Sequence, residues 1–560
     1  MQMRIVVIGA NAAGAKAACK AKRINPEAEV TLIDRGDFIS YGACGIPYFI
    51  SDTVADVKDL MKTPVGVVRD VPFFKKVKGV DVITGTEVVE IDTEAMTLKL
   101  LVKKTGEKTS LPYDKLVIAT GSSPIIPTVE NRELANIFTV KTIEDAILLK
   151  EQSVAGKSAC IVGGGLIGLE MAEALHSRGM KITMIEMRDQ LLPGLLDREM
   201  AALVENYVRM KGVELRTSCK LTGFAGAGSV ERVLTDQGEI AADVVVLAVG
   251  VRPNVELAKA AGLRIGFTGA ISVDERLNTS DSHIYACGDC CESYDLINSR
   301  ATYVPLGSTA NKEGRVAGIN AAGGRASLSG ILGTGMVKVF SLNVGRTGYT
   351  EARAREAGFK VETVLSPFPD KAHYYPEAKP IAIKLIADRS KGRILGMQAV
   401  GEGDVAKRVD VVATAIKFDA TALDLSYLDL GYAPPYSAAM DNLIVAADIM
   451  KNKLAGHGRG MSPMEVKEKM DRGDDFILLD VRSPAEHAEV SIDGATLIPL
   501  GMLREKLDTL PKDKEIIAFC KISLRGYEAQ KILDGAGFEK TGFMDGGVLT
   551  WPYGLTKNQG

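Results

Sequence analysis

The sequence predicts an α/β protein built from a repeated strand–turn–helix–strand unit, an α+β segment and a small α/β module at the end. Three observations carry this. A glycine-rich turn stands between a strand and a helix twice, in equivalent surroundings. The hydrophobic pattern changes character near residue 331. A helix-capping sequence, Ser462-Pro463-Met-Glu465, then opens a new periodic segment.

In the first unit a buried strand, Met3 to Ile8, runs into Gly9-Ala-Asn-Ala-Ala-Gly14 and a helix over 15–24. Glu29 to Asp34 is the next strand and ends on an acid. The middle glycine of a Gly-x-Gly turn is replaced by Asn11. The unit recurs with Ser158 to Val162, Gly163-Gly-Gly165-Leu-Ile-Gly168, a helix to about Ser177, and Lys181 to Ile185 closed by Glu186. Such turns let the backbone approach a pyrophosphate, and the following helix offers free N–H groups and the positive end of its dipole. The acids would accept hydrogen bonds from ribose hydroxyls. Two Rossmann-like dinucleotide sites follow. Leu116-Val-Ile-Ala119-Thr120-Gly121, Val244 to Gly250, and His283-Ile-Tyr-Ala-Cys-Gly288-Asp289 read as further strands with small-residue ends, and 305–322 as a small-residue helix.

Strands around Val337 to Ser341 and Ile381 to Ala387, followed by helices, make the α+β segment. Lys451 to Gly460 reads as a basic, Gly-rich linker. Strands at Phe476–Val481, Glu515–Phe519 and Thr541–Met544 complete a final α/β domain. The expected divisions are a discontinuous first domain (1–120 and 251–326), a second nucleotide domain (121–250), an interface domain (327–450), a linker (451–461) and a tail domain (462–560).

Composition excludes several classes. The chain has 560 residues, 46% hydrophobic and 25% charged, which rules out wholesale disorder. A net charge of −3 suggests neither a nucleic-acid surface nor a polybasic membrane anchor. Eight cysteines are too sparse for a disulfide-stapled fold, and their spacing suits a reducing compartment with one or two reactive thiols. The apolar start is broken by Lys16, and no run of roughly 18 apolar residues occurs, so neither a signal peptide nor a membrane span is expected. The expected location is cytoplasmic.

With the two glycine turns, Ala119-Thr120-Gly121 and Cys287-Gly288-Asp289 in order, the first 450 residues resemble the flavin-dependent pyridine nucleotide–disulfide oxidoreductases. The resemblance implies FAD held by Gly9, Gly14, Asp34, Ala119, Thr120, Gly121 and Gly288, with Asp289 on the ribityl chain. It implies a nicotinamide nucleotide held by Gly163, Gly165, Gly168 and Glu186. Glu186 favours a free 2′-hydroxyl and so NADH, while Arg188 nearby leaves NADPH possible.

Cys44, in Ser40-Tyr-Gly-Ala-Cys44-Gly-Ile-Pro47-Tyr, has no second cysteine four or five residues on, and the 430s hold no His. The two-cysteine reductases with a His-Glu pair are disfavoured. The single-cysteine branch is favoured: coenzyme A-disulfide reductases, NADH oxidases and NADH peroxidases. Pro47 suggests a helix start, and a Cys44 thiol at a helix N-terminus beside the flavin would have a depressed pKa and be a ready nucleophile. The oxidases and peroxidases carry His as fourth residue of the first turn, where this chain has Ala12. Lys20 and Arg23 share a helix face and are similar to the basic helix of coenzyme A-disulfide reductases, so with Ser40 they are candidate substrate contacts. Gly-Tyr432-Ala-Pro-Pro-Tyr436 and His373-Tyr374-Tyr375-Pro376 resemble motifs that cross the dimer interface in this branch. Tyr375 and Tyr432 are the leading proton donors, with Tyr374 the rival.

The tail resembles a single-domain rhodanese: Leu479-Asp480-Val-Arg482, then Glu486-His, then the loop Cys520-Lys-Ile-Ser-Leu-Arg525. Val490-Ser-Ile492 departs from the family's usual Gly-His-Ile. Four residues between Cys520 and Arg525 suit sulfur transfer; a phosphatase loop is one residue longer. Backbone N–H groups around the loop would stabilise a Cys520 thiolate or persulfide.

Cys287, Cys290 and Cys291 have metal-like spacing but no second pair, and no metal is expected. Cys19, Cys160 and Cys219 read as packing residues, and His176, His283 and His457 form no dyad. The expectation is a homodimeric flavoprotein that uses NADH to reduce coenzyme A disulfide, coenzyme A persulfide or polysulfide through Cys44, fused to a sulfurtransferase. Its partners are low-molecular-weight thiols, with no nucleic acid and no membrane. The alternatives are an NADH oxidase or peroxidase, and a sulfur-relay or redox-sensing flavoprotein.

Overall fold

The computed structural model describes residues 2–556, which divide into two compact units. One comprises 2–187 and 213–333, the other 188–212 and 334–556.

The first unit holds two five-stranded parallel sheets of the same design. In one, the strand order is Ile284–Ala286, Lys115–Ile118, Arg4–Ile8, Glu29–Ile33, Asp81–Ile83. In the other it is Glu214–Arg216, Lys181–Ile185, Ser158–Val162, Val244–Leu247, Ile137–Phe138. In each sheet the strand before the glycine turn is central and fully paired. Its apolar run is therefore buried on both faces, as parallel sheets covered by helices require. The helix Ala12–Ile24 buries only Ala and Gly and packs on Gly307–Ala321. The backbones come so close that a Cβ on Gly314 would lie 2.3 Å from the Ala13 carbonyl oxygen. The small residues of both helices are therefore a packing requirement.

In the second unit, a five-stranded antiparallel sheet runs Gly335–Val339, Leu342–Gly348, Ile394–Gly401, Pro380–Asp388, Val361–Pro369. The helices Val405–Lys417 and Asn442–Leu454 pack on it. A second, parallel sheet runs Gly460–Met461, Thr541–Met544, Glu515–Phe519, Phe476–Asp480, Thr496–Leu497. The Ser462 capping box forms as the sequence suggests.

Two features differ from expectation. Residues 188–212, read as part of the second nucleotide domain, belong to the second unit. One tie is electrostatic: Lys384, 2% exposed, pairs with Asp197 at 3.1 Å, Glu199 at 2.7 Å and Glu351 at 2.7 Å. Burial opposes its charge, but the three carboxylates outweigh it and hold the lysine above its usual range. The stretch 451–461 is also no free linker. The helix continues through Leu454, and Gly460–Met461 is already a strand of the tail sheet. Lys453 is buried, and its ammonium finds carboxylate partners in both parts of the unit. Among the described residues no helix is long and apolar enough to cross a membrane.

Candidate active site

Both glycine turns are shaped for a pyrophosphate. Gly9 and Gly163 have φ of +101° and +111°, a region that penalises a side chain. A Cβ on Gly14 would meet the Gly9 carbonyl at 1.8 Å, and one on Gly168 the Gly163 carbonyl at 2.0 Å. Gly165 faces open space, leaving room for a ligand. The acids are oriented by the turns themselves. Asp34 accepts from Ala10 N–H at 2.6 Å and Gly36 N–H at 2.8 Å, and Glu186 accepts from Gly164 N–H at 2.6 Å. The side-chain oxygen of Asn11 is buried without a hydrogen-bond partner at the first turn, as expected where a ligand supplies the donor. The residues present therefore fit a dinucleotide at each turn.

Thr120 is fixed by reciprocal 2.8 Å hydrogen bonds with Asn254, which shape the Ala119–Gly121 turn, where Gly121 has φ of +69°. Gly288 donates to Glu313 at 2.8 Å. Asp289 accepts from Ser122 at 2.8 Å, and Ser122 accepts from Lys141 at 2.9 Å. Tyr303 donates to the Asp289 carbonyl at 2.9 Å. Glu313 is almost fully buried, and its carboxyl is pushed up to about 7.

Cys44 lies in the 3₁₀ turn Ala43–Gly45, ahead of the short helix Ile46–Ile50. The residue is exposed, while its sulfur turns toward the start of the helix Gly307–Ala321, where a Cβ on Gly307 would lie 3.6 Å from Sγ. The expected depression of its pKa is not what the protein alone provides. Burial of the thiol, then the Glu170 and Asp289 carboxylates, raise it, and a backbone hydrogen bond and Lys141 offset only part of this. A five-residue helix has little dipole to set against two acids. Glu170 is itself pushed up to about 7 by burial and by Glu173. Ser40, with φ of +50°, ties this loop to the first glycine turn by donating its N–H to the Ala10 carbonyl at 2.8 Å.

The far end of the Cys44 helix is clamped. Lys150 donates to the Phe49 carbonyl at 2.7 Å, pairs with Asp52 at 2.7 Å and lies 3.9 Å from the Phe49 ring centre. Arg178 pairs with the same Asp52. Lys20 and Arg23 lie on the helix Ala12–Ile24, where Arg23 donates to the Cys19 carbonyl.

In the second unit, Tyr374 and Tyr432 are brought together by a hydrogen bond that raises the Tyr374 phenol pKa. Both are largely exposed. The ring of Tyr375, expected with Tyr432 as a proton donor, has the Lys371 ammonium 5.7 Å from its centre.

Cys520 directly follows the strand Glu515–Phe519 and is buried, with the helix Leu524–Gly535 beginning after Ser523. Arg525 hydrogen-bonds Cys520 and forks onto Glu486 at 2.8 and 2.7 Å. The pairing with Arg525 holds Glu486 at about 2. Behind it, Asp480 accepts from Arg482 and His487.

Sequence reading did not single out Glu170, Lys141, Lys150, Arg178 or Tyr303, because their partners come from distant segments. Glu486 was visible only as part of a motif, although its capping of Ser483 was a usable signal. Cys287, Cys290 and Cys291 are buried thiols whose pKa values burial pushes up, consistent with packing.

Comparison with known proteins places these features. The profile for pyridine nucleotide-disulphide oxidoreductases matches residues 3–314, that family's dimerisation domain matches 334–444, and the rhodanese-like domain matches 462–552. A Pyrococcus abyssi protein named "NAD(P)H sulfur oxidoreductase (CoA-dependent)" is 38% identical over 449 residues, covering 80% of this chain and 98% of its own length. A Methanocaldococcus jannaschii "NADH oxidase" is 37% identical, over 81% of this chain and all of its own length. Two solved structures extend through the tail. An NAD-dependent persulfide reductase from A. fulgidus is 44% identical, with TM-score 0.93, covering 98% of this chain and 100% of its own. The reduced Bacillus anthracis CoADR-RHD is 35% identical, with TM-score 0.93, covering 98% of each chain. With its paired glycine turns, its lone Cys44 and these matches, the chain belongs to the pyridine nucleotide-disulphide oxidoreductase family and carries a rhodanese-like domain at its end.

Proposed function

We propose that this chain is an FAD-dependent NAD(P)H oxidoreductase that reduces sulfur–sulfur bonds of coenzyme A-type disulfides and persulfides. The observation that carries the reading is one exposed residue, Cys44, whose sulfur lies at the start of the helix Gly307–Ala321 and feels the Asp289 charge, with no second cysteine in its loop. Relatives named for coenzyme A-dependent sulfur, polysulfide and persulfide reduction support it.

FAD, when bound, supplies the two-electron relay between nicotinamide and sulfur. The chain does the rest. The glycine turns hold the pyrophosphates, Asp34 and Glu186 select the riboses, and Asp289, aligned by Ser122 and Lys141, anchors the ribityl side. Cys44, as thiolate, attacks a disulfide sulfur and forms a mixed disulfide. The leaving thiolate takes a proton. For a coenzyme A persulfide, attack at the sulfur joined to carbon releases hydrosulfide. Two electrons then split the mixed disulfide to coenzyme A thiol and the Cys44 thiolate. In a homodimer the Tyr374–Tyr432 pair is the proton donor to the leaving group, and Lys20, Arg23 and Ser40 hold the substrate. Cys520, with Arg525 and Glu486, accepts sulfane sulfur as a persulfide.

An oxidase or peroxidase is the competing activity. Ala12 stands where those enzymes carry an imidazole, so the first turn offers the thiol no such partner. The test is steady-state NADH oxidation with coenzyme A persulfide, coenzyme A disulfide, oxygen and peroxide as acceptors under one set of conditions. The sulfur species are expected to give the higher kcat/KM. A peroxide or oxygen value equal to or above that for coenzyme A persulfide would assign the oxidase reading instead.

A further inference from the structure

We propose that Lys453 is a positioning residue for the Cys520 loop, acting from the dimerisation helix through Asp545 and the Gly546–Gly547 turn. The inference rests on the reading of Cys520 as a sulfur acceptor and goes beyond it, because it places the control of that loop outside the rhodanese-like domain.

The contacts form a continuous chain. Lys453 lies at the end of the helix Asn442–Leu454 and is 7% exposed. Its ammonium donates to Asp545 Oδ2 at 2.9 Å and to the Thr363 carbonyl at 2.6 Å, and pairs with Glu362 at 3.2 Å. Asp545 is buried, and its other side-chain oxygen has no hydrogen-bond partner, so Lys453 is its chief stabiliser. The next residue, Gly546, donates its N–H to Ser523 Oγ at 2.7 Å, inside the Cys520 loop. Ser523 Oγ in turn donates to the Leu365 carbonyl at 3.4 Å. Gly547 presses on the loop directly: a Cβ there would lie 2.3 Å from the Cys520 carbonyl oxygen and 2.4 Å from that of Ile522. Val548 and Leu549 then donate to the Cys520 and Lys521 carbonyls at 2.9 and 3.1 Å.

Glu362, Thr363 and Leu365 all belong to the strand Val361–Pro369 of the antiparallel sheet. One strand thus holds the lysine at one point and the loop at another, and the turn after Asp545 joins the two. Taking away the ammonium would leave two carboxylates in a buried site, one of them fully enclosed, and such a site relaxes by moving its backbone or taking up a proton. The backbone that would move is the turn that holds Cys520.

The test uses the full-length FAD-loaded protein. Modification of Cys520 by iodoacetamide is followed by peptide mass mapping, beside sulfur transfer to cyanide and NADH-dependent reduction of coenzyme A disulfide. In Lys453→Met, Cys520 alkylation is expected to rise by about tenfold and sulfur transfer to fall by about tenfold, with disulfide reduction within about twofold of wild type. A pH series adds a readout that loss of packing would not give. Asp545 is pushed up to about 6 by burial, which Lys453 opposes and Glu362 and Glu465 reinforce. As pH falls through about 6, Asp545 takes up a proton and releases Lys453, so wild-type Cys520 alkylation should rise there. In Asp545→Asn that step should be absent. If Lys453→Met loses FAD or its cooperative melt, Ser523→Ala gives the second arm, since it removes both the Gly546 and the Leu365 hydrogen bonds and should open the loop in the same direction. Cys520 alkylation unchanged within twofold in the folded variants, with no step near pH 6, would overturn the proposal. Wild-type sulfur transfer that persists in Cys520→Ser would overturn the Cys520 reading alone, leaving the alkylation result to decide the role of Lys453.

Discussion

Glu170 opposes the ionisation of Cys44, and its own carboxyl stands at about 7 because burial and Glu173 disfavour its charge. Two outcomes follow for Glu170→Gln. With the carboxylate gone, Cys44 should be alkylated about threefold faster at pH 8, the order expected from one nearby charge. An unchanged or slower rate would remove Glu170 from the Cys44 environment. The second outcome concerns stability. A carboxyl that holds its proton more tightly folded than unfolded costs stability as pH rises from its ordinary value of 4.5 to about 7, a shift worth roughly 3 kcal/mol. The melting temperature of Glu170→Gln relative to wild type should therefore climb between pH 5 and pH 8. At this scale the sequence was informative where a residue type is demanded by its own neighbours, as with Cys44, Gly9 or Asp34. It was silent on Glu170 and Lys141, which matter through residues far along the chain. Nor could it show the charges that act on Cys44, because a helix start can be read locally whereas the carboxyls of Glu170 and Asp289 come from distant segments. Between Tyr374 and Tyr375, adjacent in one motif, only the loop conformation tells which meets Tyr432.

Among elements, the short helix Ile46–Ile50 is fixed from outside itself. Its C-terminal carbonyls meet Lys150 and Arg178, cations placed where a helix end favours them. Lys150→Met should lower the urea midpoint by an amount equal to about 1 kcal/mol, discounted for the exposure of Asp52. It should also reduce disulfide turnover more than NADH-dependent flavin reduction. An unchanged midpoint would mean that the clamp carries no weight. In the tail, Glu486→Gln should cut sulfur transfer by about tenfold by releasing the Arg525 fork, with coenzyme A disulfide reduction unaffected. Equal activity would leave Arg525 fixed by something else. The strands and helices themselves were well signalled, because each repeats a buried apolar run or a capped amphipathic turn. The linker was misjudged: its glycines and lysines look solvent-facing in sequence, yet Lys453 is enclosed by Glu362 and Asp545.

For the whole molecule, the order of domains was legible because the glycine-turn unit occurs twice and the tail announces itself with a capping box. The excursion over 188–212 was not, since it is tied in by Lys384, which pairs with Asp197 and Glu199 of this stretch and with Glu351 of another. Two thiols have different surroundings, Cys44 exposed in the first unit and Cys520 buried beside Arg525, which suits the two separate roles proposed for them. Cys520→Ser should spare reduction of coenzyme A disulfide and slow reduction of sulfur presented on other donors. Equal loss on both would make the tail structural.

In the NADH-dependent reduction, Cys44 alone is expected to attack the sulfur–sulfur bond, while the nucleotide turns serve the flavin and NADH independently of it. The direct measurement is anaerobic NADH titration of Cys44→Ser beside its turnover on coenzyme A disulfide and persulfide. A full complement of FAD is expected, bleached by NADH as in wild type, with sulfur reduction lowered by about a thousandfold or more. Turnover on either sulfur substrate within about tenfold of wild type would contradict it.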